Sequence, residues 1–252
     1  MFGKRILILI PHPDDEVVGC AAAIARARAQ GARVYGAFLS HGFLPREHLW
    51  PWQRKGYGKR VRLRMEEAAK TADFLGITVV AKNEERAARE IWRNLREVEA
   101  EVRGAIQHCA PDRIWVPAYE GGNPDHDGLN ALASTLKDQA VFEFSEYHLF
   151  GGPHSNRFIE KKGKEIVHRL TPEEKRMKQE ALALYASEKG NLTGIACNEE
   201  QFRPLSAYDY SKRPHTGKLW YERFQWVPFK PPRVDYTKAE EVSAAIGAFL
   251  RR

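Results

Sequence analysis

The start of the chain alternates between extended and helical patterns, and this alternation limits the folds that it can adopt. Residues 6–10 form a continuous apolar run, residues 16–29 are rich in alanine, and residues 32–40 are again largely apolar. Strand, helix and strand in this order form a β-α-β unit, whose two strands lie parallel in one sheet. The first forty residues therefore predict an α/β fold.

The alternation continues to about residue 150. The pattern predicts, in chain order, a helix over 59–75, a strand over 77–81, a charged amphipathic helix over 84–109, a buried strand over 112–117, a helix near 128–137 and a strand near 141–149. A further helix should begin after Thr171, which is a good N-cap with proline behind it, and run to about residue 187. This order fits a Rossmann-like, mostly parallel sheet with helices on both faces.

The last quarter of the chain follows a different pattern. From residue 191 onward it is irregular, aromatic and proline-bearing, apart from a short helix expected over 238–250. A length of 252 residues suits one α/β domain with a modest addition. We therefore predict a Rossmann-like domain over 1–190 and a C-terminal extension over 191–252 that packs on the same domain.

Composition narrows the class of protein. An apolar fraction of 43% with 29% charged residues is typical of an ordinary globular chain. The apolar run near the start is too short for a membrane span and ends too abruptly in acidic residues for a secretory signal. The three cysteines have no paired spacing, which argues against disulfides and against a thiolate metal site. We expect a cytoplasmic protein without a membrane span.

The chain carries a net charge of +7 and has a pI near 9.3, which would suit an anionic partner. The lysines and arginines are scattered among 33 acidic residues along the chain. We therefore expect no nucleic-acid partner, and favour a basic mouth for an acidic or phosphorylated small substrate. A homo-oligomer is possible, since the sequence does not determine the oligomeric state.

An acidic turn follows the first strand, with the sequence Pro11-His-Pro-Asp-Asp-Glu16. It lacks the G-x-G-x-x-G of a dinucleotide site, although ligands of open α/β sheets bind beyond the carboxyl ends of such strands. Carboxylates at this position can simply cap the following helix. Alternatively, imidazole and carboxylate are zinc ligands, and a carboxylate that does not bind the metal can accept a proton from water.

A catalytic zinc ion takes three protein ligands and keeps one position open, so His12 and Asp15 need one partner from elsewhere in the chain. His126 is a suitable candidate. It lies in the segment Glu120-Gly-Gly-Asn-Pro-Asp-His-Asp-Gly128, directly after the predicted strand 112–117. Both motifs should then meet at the same edge of the sheet.

These two motifs, His12-Pro-Asp-Asp-Glu16 and Pro124-Asp-His-Asp127, resemble those of the PIG-L (LmbE-like) family of zinc N-deacetylases. Two smaller matches agree with the resemblance. One is Arg64-x-x-Glu67 with Leu75-Gly76 at the end of the same helix, and the other is Lys178-x-x-Ala181-x-x-x-Tyr185-x-Ser187. Together the matches span roughly residues 5–188.

The resemblance implies one zinc ion per chain, held by His12, Asp15 and His126. It makes Asp14 the general base that takes a proton from water and later returns it to the leaving amine. The implied reaction removes an acetyl or similar acyl group from the nitrogen of an N-acetylglucosamine-type sugar or its conjugate. It also implies that Arg64 contacts substrate hydroxyls or a phosphate, whereas the residues alone allow an ordinary i, i+3 pair with Glu67.

The chain departs from the family pattern at Asn123, three residues before His126. The family commonly has a histidine there, whose positive charge is thought to stabilise the oxyanion. Asparagine can still donate a neutral hydrogen bond as a catalytic residue, and one such donor is typically worth about 3 to 4 kcal/mol.

Three further side chains are candidates for substrate contact. His154 follows the strand predicted near residue 149 and can supply positive charge in place of the missing histidine, with His41 as a weaker substitute. Trp52, beside Trp50 and Tyr57, can stack on a sugar ring. The alternatives are that the histidines are structural and that the aromatic loop packs on the core.

Two other functions stay open at the level of sequence. The first is a zinc amidase for another N-acyl substrate, such as a thiol conjugate or an antibiotic sugar, because Asn123 and the unmatched C-terminal region alter the pocket. The second is a non-catalytic binding module of the same fold, which Asn123 alone motivates.

Overall fold

The structure is a computed structural model that describes residues 1–226 and 231–251. The strands are β1 Arg5–Ile10, β2 Arg33–Phe38, β3 Ile77–Lys82, β4 Arg113–Pro117, β5 Val141–Phe144, β6 Tyr147–His148, β7 His154–Ser155, β8 Ile166–Arg169 and β9 Glu199–Pro204. The helices are α1 Asp15–Ala29, α2 Tyr57–Leu75, α3 Leu95–Cys109, α4 Pro124–Ala133, α5 Pro172–Leu184, α6 Lys189–Leu192 and α7 Ala239–Leu250.

Seven strands form the central sheet in the order β3-β2-β1-β4-β5-β9-β8. The strands β1 to β5 are parallel, and β9 and β8 add an antiparallel edge. The short strands β6 and β7 pair separately. The predicted Rossmann-like, mostly parallel sheet is confirmed.

The apolar run of β1 is buried on both faces of this sheet. Leu7 and Leu9 pack in a core with α3, α4 and α7, whereas Ile6, Ile8 and Ile10 pack in a second core with α1, α2 and α5. A parallel strand with helices on both sides needs apolar residues at every position, which explains why the run does not alternate with polar residues.

The prediction of a helix over 84–109 was wrong in its first half, since α3 begins only at Leu95. The carboxamide oxygen of Asn83 accepts hydrogen bonds from the backbone N–H groups of residues 85 and 86, which holds a turn instead of a helix. The guanidinium of Arg86 then pairs with Glu101 of α3 at 2.7 Å. Local side-chain hydrogen bonds therefore override the helical pattern.

The region after residue 140 also differs from prediction. The predicted strand 141–149 divides into β5 and β6, and no local pattern indicated β8 or β9. The strand β9 contains Glu200 and Arg203, whose charges hide its buried character, although both side chains are paired inside the protein. The domain division at residue 190 stays a prediction, and β9, which lies beyond it, is a strand of the central sheet.

A buried ion pair braces the start of α1. The helix is kinked at Cys20 (φ −148°, ψ 17°), and the Glu200 carboxylate accepts hydrogen bonds from the freed N–H groups of Ala22 and Ala23 at 3.0 and 2.9 Å. Lys178 of α5 donates to Glu200 at 2.9 Å and to the carbonyl of Val18 at 2.7 Å. The two charged side chains therefore supply the partners that the kinked helix lacks.

We expect Lys178→Met to lower the free energy of unfolding by about 3 to 5 kcal/mol, because it leaves the buried carboxylate of Glu200 without its counter-charge. Urea denaturation followed by circular dichroism measures the change. The exposed Lys70→Met is the matched control and should stay within about 0.5 kcal/mol of the wild type. Equal stability of the two variants would contradict the bracing role.

Two expectations from the sequence concern disulfides and membrane spans. Cys20, Cys109 and Cys197 are all free thiols, and the first two are buried. Within residues 1–226 and 231–251, none of the helices combines the length and the apolar character needed to cross a bilayer.

Candidate metal centre and pocket

The two sequence motifs meet at the point where the strand order of the sheet reverses. β1 and β4 are neighbours, but the chain continues from β1 to β2 on one side and from β4 to β5 on the other. A crevice opens beyond the carboxyl ends of two strands at such a point, and it is the usual ligand site of this fold. α1 begins at Asp15 directly after β1, and α4 begins at Pro124 a few residues after β4.

Three buried side chains converge in this crevice, as the sequence predicted. Asp15 Oδ2 lies 3.2 Å from His12 Nδ1 and 3.2 Å from His126 Nε2, and the two nitrogens are 3.4 Å apart. A tetrahedral zinc ion with bonds of about 2.0 to 2.1 Å separates its ligand atoms by roughly 3.3 Å. The three donors therefore fit one metal ion, and they form the one such cluster found among the described residues.

Asp125 orients the first of these candidate ligands, His12. Its Oδ2 accepts a hydrogen bond of 2.9 Å from His12 Nε2, which directs Nδ1 of the same ring toward the other two ligands. The backbone N–H groups of Arg89 and Trp92 donate to the Asp125 carboxylate at 2.5 and 3.3 Å. A carboxylate that holds a metal-binding histidine in this way fixes its tautomer and raises its basicity. Sequence reasoning missed this role, although Asp125 lies inside the second motif.

The charges of the three ligand residues depend on one another. Burial lowers the pKa of His12, but the Asp15 and Asp125 carboxylates outweigh it and raise this pKa to about 10. Burial also opposes ionisation of Asp15, yet His126 and His12 hold its pKa well below the ordinary value. The cluster thus keeps a carboxylate charged inside the protein.

Asp14 occupies a strained position next to the ligand cluster. Its φ of 122° is in a region that side chains other than glycine rarely adopt, and it precedes the first turn of α1. This conformation lets Asp14 line the pocket, while the Asp15 side chain joins the ligand cluster. Burial raises the pKa of Asp14 well above its ordinary value, and Arg64 opposes this rise.

Arg64 is buried in the wall of the same pocket. Its Nη2 lies 3.4 Å from Asp14 Oδ2 and 3.0 Å from Glu188 Oε1, and its guanidinium packs over the rings of Phe43 and Tyr185 at 5.5 Å each. The alternative pairing with Glu67 does not form, since the Glu67 carboxylate accepts hydrogen bonds from Ser187. Arg64 therefore holds Asp14 and faces the pocket.

Side chains of the match at residues 178–187 support the pocket wall around Arg64. The Tyr185 hydroxyl donates to Glu16 Oε1 at 2.5 Å, and Ser187 Oγ donates to Glu67 Oε2 at 2.6 Å. Together with Lys178, these contacts tie α5 and the turn after it to α1 and α2. The residues of this match therefore have a structural role, because they hold the pocket wall in place.

Asn123 is the N-cap of α4, where its Oδ1 accepts a hydrogen bond of 2.9 Å from the backbone N–H of Asp125. The side chain also lines the pocket, beside Tyr147. Burial raises the pKa of Tyr147 well above its ordinary value, and a hydrogen bond from Asn123 partly offsets this rise. The Tyr147 ring lies 5.7 Å from the ring of His126, so its hydroxyl is a polar group near the cluster that the sequence did not indicate.

The pocket has a volume of about 980 Å³ and contains five arginines in its lining. Two of them, Arg89 (φ 70°) and Arg233 (φ 73°), have left-handed backbone conformations, as few other non-glycine residues of the described chain do. Arg89 pairs with Asp235 at 2.9 Å, and burial lowers the pKa of both Arg89 and Arg223. Backbone strain and half-buried positive charge are thus concentrated at this part of the wall.

The remaining predicted contacts are placed as follows. His154 is exposed and lines the pocket, with its ring 5.3 Å from that of His148. Trp52 does not line the pocket; it stacks on Trp50 at the surface, and its contact with substrate stays a prediction. His41 is buried, which lowers its pKa to about 4, so it cannot supply a positive charge at neutral pH.

A mostly parallel sheet with a histidine and aspartate cluster that could hold a metal ion at its switch point defines an α/β protein of the Rossmann-like class. A family model described as PIG-L, GlcNAc-PI de-N-acetylase, matches residues 7–137, just over half of the chain. The chain belongs to the PIG-L family.

One curated relative is a diacetylchitobiose deacetylase of Thermococcus kodakarensis, which is 28% identical over 160 residues. The match covers 60% of this chain, and the chain spans only 57% of the length of that relative.

Two solved structures show the same fold. One is a deacetylase of teicoplanin biosynthesis, with a TM-score of 0.63, 20% identity, and coverage of 81% of this chain and 99% of the other. The second is an N,N'-diacetylchitobiose deacetylase from Pyrococcus horikoshii, with a TM-score of 0.56, 19% identity, and coverage of 79% and 83%. At these identities the likeness concerns the fold alone.

Proposed function

We propose that the protein is a zinc-dependent N-deacetylase that hydrolyses the acetamide of an N-acetylglucosamine-type sugar or its conjugate. The observation that carries this proposal is the triangle of His12 Nδ1, Asp15 Oδ2 and His126 Nε2, with Asp14 beside it in the pocket wall. The deacetylases among the relatives support the choice of reaction.

His12, Asp15 and His126 would hold the zinc ion, and their nitrogen and oxygen donors suit this metal. A bound zinc ion lowers the pKa of water and polarises an amide carbonyl. Asp14 accepts the proton as water attacks the carbonyl carbon, and it returns the proton to the amine as the C–N bond breaks. Arg64 keeps the Asp14 carboxylate oriented toward the pocket.

Asn123 and Tyr147 are the neutral donors available to the oxyanion. The Asn123 oxygen accepts the hydrogen bond of the helix cap, and one N–H group of the same amide donates to the Tyr147 hydroxyl. This arrangement supports a role for Asn123 that includes orienting Tyr147. Arg64 and His154 are proposed to contact the sugar from other parts of the wall.

The arginines support an acidic conjugate as the substrate. Arg89, Arg223 and Arg233 line the pocket together, with Asp235 as the carboxylate among them. Arg89 and Arg223 are half-buried and Arg233 is exposed, and withdrawing guanidinium groups even partly from water is costly unless an anion balances them. A phosphate or carboxylate on the sugar would supply this balance. We also propose that the protein acts in the cytoplasm, and that it consists of one domain over 1–190 with an extension over 191–252.

The test is acetate release by the zinc-loaded protein from N-acetylglucosamine, its methyl glycoside and its 1- and 6-phosphates. We expect activity with at least one phosphate at a lower KM than with the neutral sugars. We expect Arg223→Gln to raise that KM about 10- to 100-fold because it removes a charged hydrogen-bond donor, with little change for the neutral sugars. The exposed Arg96→Gln is the control.

Absence of acetate release from every sugar by the zinc-loaded protein would contradict the proposed function. Release of another acyl group from a thiol conjugate or an antibiotic sugar would instead support the amidase alternative.

A further inference from the structure

The excess positive charge of the chain is concentrated in one segment. Residues 46–64, called here the basic segment, contain seven lysines and arginines and one glutamate, which gives a net charge of +6. The rest of the chain therefore carries a net charge of only +1. This distribution corrects the expectation that the positive charge is scattered along the length.

Most of these charges are not neutralised by the protein itself. Within the described residues, Arg64 is the member of the segment that forms ion pairs with carboxylates. Arg54 donates to the backbone carbonyls of residues 47 and 49, so it braces the loop without losing its charge. Lys55, Lys59 and Arg62 are exposed. The segment thus presents a dense positive surface.

Large apolar side chains are exposed among these charges. Trp52 is 71% exposed and stacks on Trp50 with ring centroids 5.0 Å apart, and Leu63 is 44% exposed. Tryptophan and leucine next to lysine and arginine are typical of protein surfaces that lie in the headgroup region of a membrane. A nucleic acid would attract the cations but would leave the exposed leucine in water.

The segment also forms part of the pocket mouth. Leu49, Gln53 and Leu63 belong to the basic segment and line the pocket that contains Asp14. Another part of the lining comes from residues 220–223, next to which Phe224 and Trp226 are 49% and 74% exposed. Exposed aromatic side chains therefore occur on two separate segments that contribute to the same pocket.

We propose that the basic segment docks the protein on the surface of an anionic phospholipid bilayer, with the mouth of the pocket at the membrane. Trp52 and Leu63 enter the headgroup region, while Lys55, Lys59 and Arg62 contact the lipid phosphates. This docking goes beyond the proposed deacetylase activity and does not depend on it.

The experiment is sedimentation of the zinc-loaded full chain with vesicles of equal parts phosphatidylglycerol and phosphatidylcholine, and with vesicles of phosphatidylcholine alone, at 0.1 M salt. We expect binding to the first vesicles, and much weaker binding to the second. The triple variant Lys55→Glu, Lys59→Glu, Arg62→Glu should lower the partition coefficient on the order of 100-fold, since each cation near an anionic surface contributes several-fold.

The matched control is the triple variant Lys70→Glu, Arg96→Glu, Lys137→Glu. These residues are exposed elsewhere and change the net charge equally. This control should bind the anionic vesicles within about threefold of the wild type, because distant charges are screened. Trp52→Ala should lower vesicle binding and the quenching of tryptophan fluorescence by brominated lipid. Circular dichroism verifies the fold of each variant.

Three results would overturn the docking. The wild type could fail to sediment with anionic vesicles, or the two triple variants could lose binding equally. Alternatively, a single-stranded oligonucleotide could bind more tightly than the vesicles, which would make the segment a nucleic-acid surface. Acetate release from a soluble substrate should be the same in both triple variants, so a failed deacetylase assay and a failed docking assay remain distinguishable.

Discussion

Asp14→Asn is expected to lower kcat for acetate release by about 10²- to 10⁴-fold, the usual contribution of a general acid–base group. Asparagine keeps the size of the side chain and, like aspartate, tolerates positive φ better than most residues. It cannot accept the proton that water loses. Zinc content should stay at one per chain, because Asp14 is not among the three converging ligand atoms.

The exposed Asp138→Asn serves as the control for this prediction and should leave kcat unchanged. Full activity of the Asp14 variant would show that another group moves the proton. Loss of zinc together with activity would show that the Asp14 side chain supports the metal site, and the assignment as base would then be wrong.

His126→Ala is expected to remove zinc binding at micromolar metal and to abolish acetate release. The substitution leaves two ligands, His12 and Asp15, where a catalytic zinc ion takes three. We expect the dissociation constant for zinc to rise by more than about 100-fold, beyond the 10- to 100-fold typical of groups that only orient a ligand. Competition with a fluorescent zinc chelator measures the change, and the exposed His108→Ala is the control.

Asp125→Ala provides a graded comparison in the same assay. Because Asp125 holds the His12 ring but does not converge with the ligand atoms, its loss should raise the dissociation constant for zinc by about 10- to 100-fold. Equal losses in the Asp125 and His126 variants would argue against separate orienting and binding roles.

The fold and the metal cluster could be predicted from the sequence because both depend on local patterns at strand ends. The apolar run of β1 and the motif after it fix a strand, a turn and a helix within 25 residues. The motif with His126 follows a second buried strand, and parallel strands bring their carboxyl ends to one edge. Neighbouring strands therefore placed His12 and His126 together, although 113 residues separate them.

The other parts of the site depend on contacts that no local pattern encodes. Asp125 orients His12 through a hydrogen bond across the crevice, and the partners of Asp125 come from a turn that the helical pattern of residues 84–94 concealed. Tyr147 lies on β6, which the sequence pattern over residues 141–149 did not separate from β5. Glu200 of β9, paired with Lys178 of α5, accepts hydrogen bonds from the backbone N–H groups that the kink in α1 leaves without partners. Such side chains are recognised only once the chain is folded.

The arginines of the pocket illustrate the same limit. Arg89 is far in sequence from Arg223 and Arg233, and all three lie outside the motifs, yet they line one pocket. The concentration of charge in residues 46–64 was readable from the sequence, but its exposure beside the pocket mouth was not.

Diffraction from crystals of the zinc-loaded protein, recorded on both sides of the zinc absorption edge, tests the metal centre most directly. We predict one anomalous peak per chain, about 2 Å from His12 Nδ1, from a carboxylate oxygen of Asp15 and from His126 Nε2. A peak held by other residues, or an empty crevice at saturating zinc, would contradict this assignment.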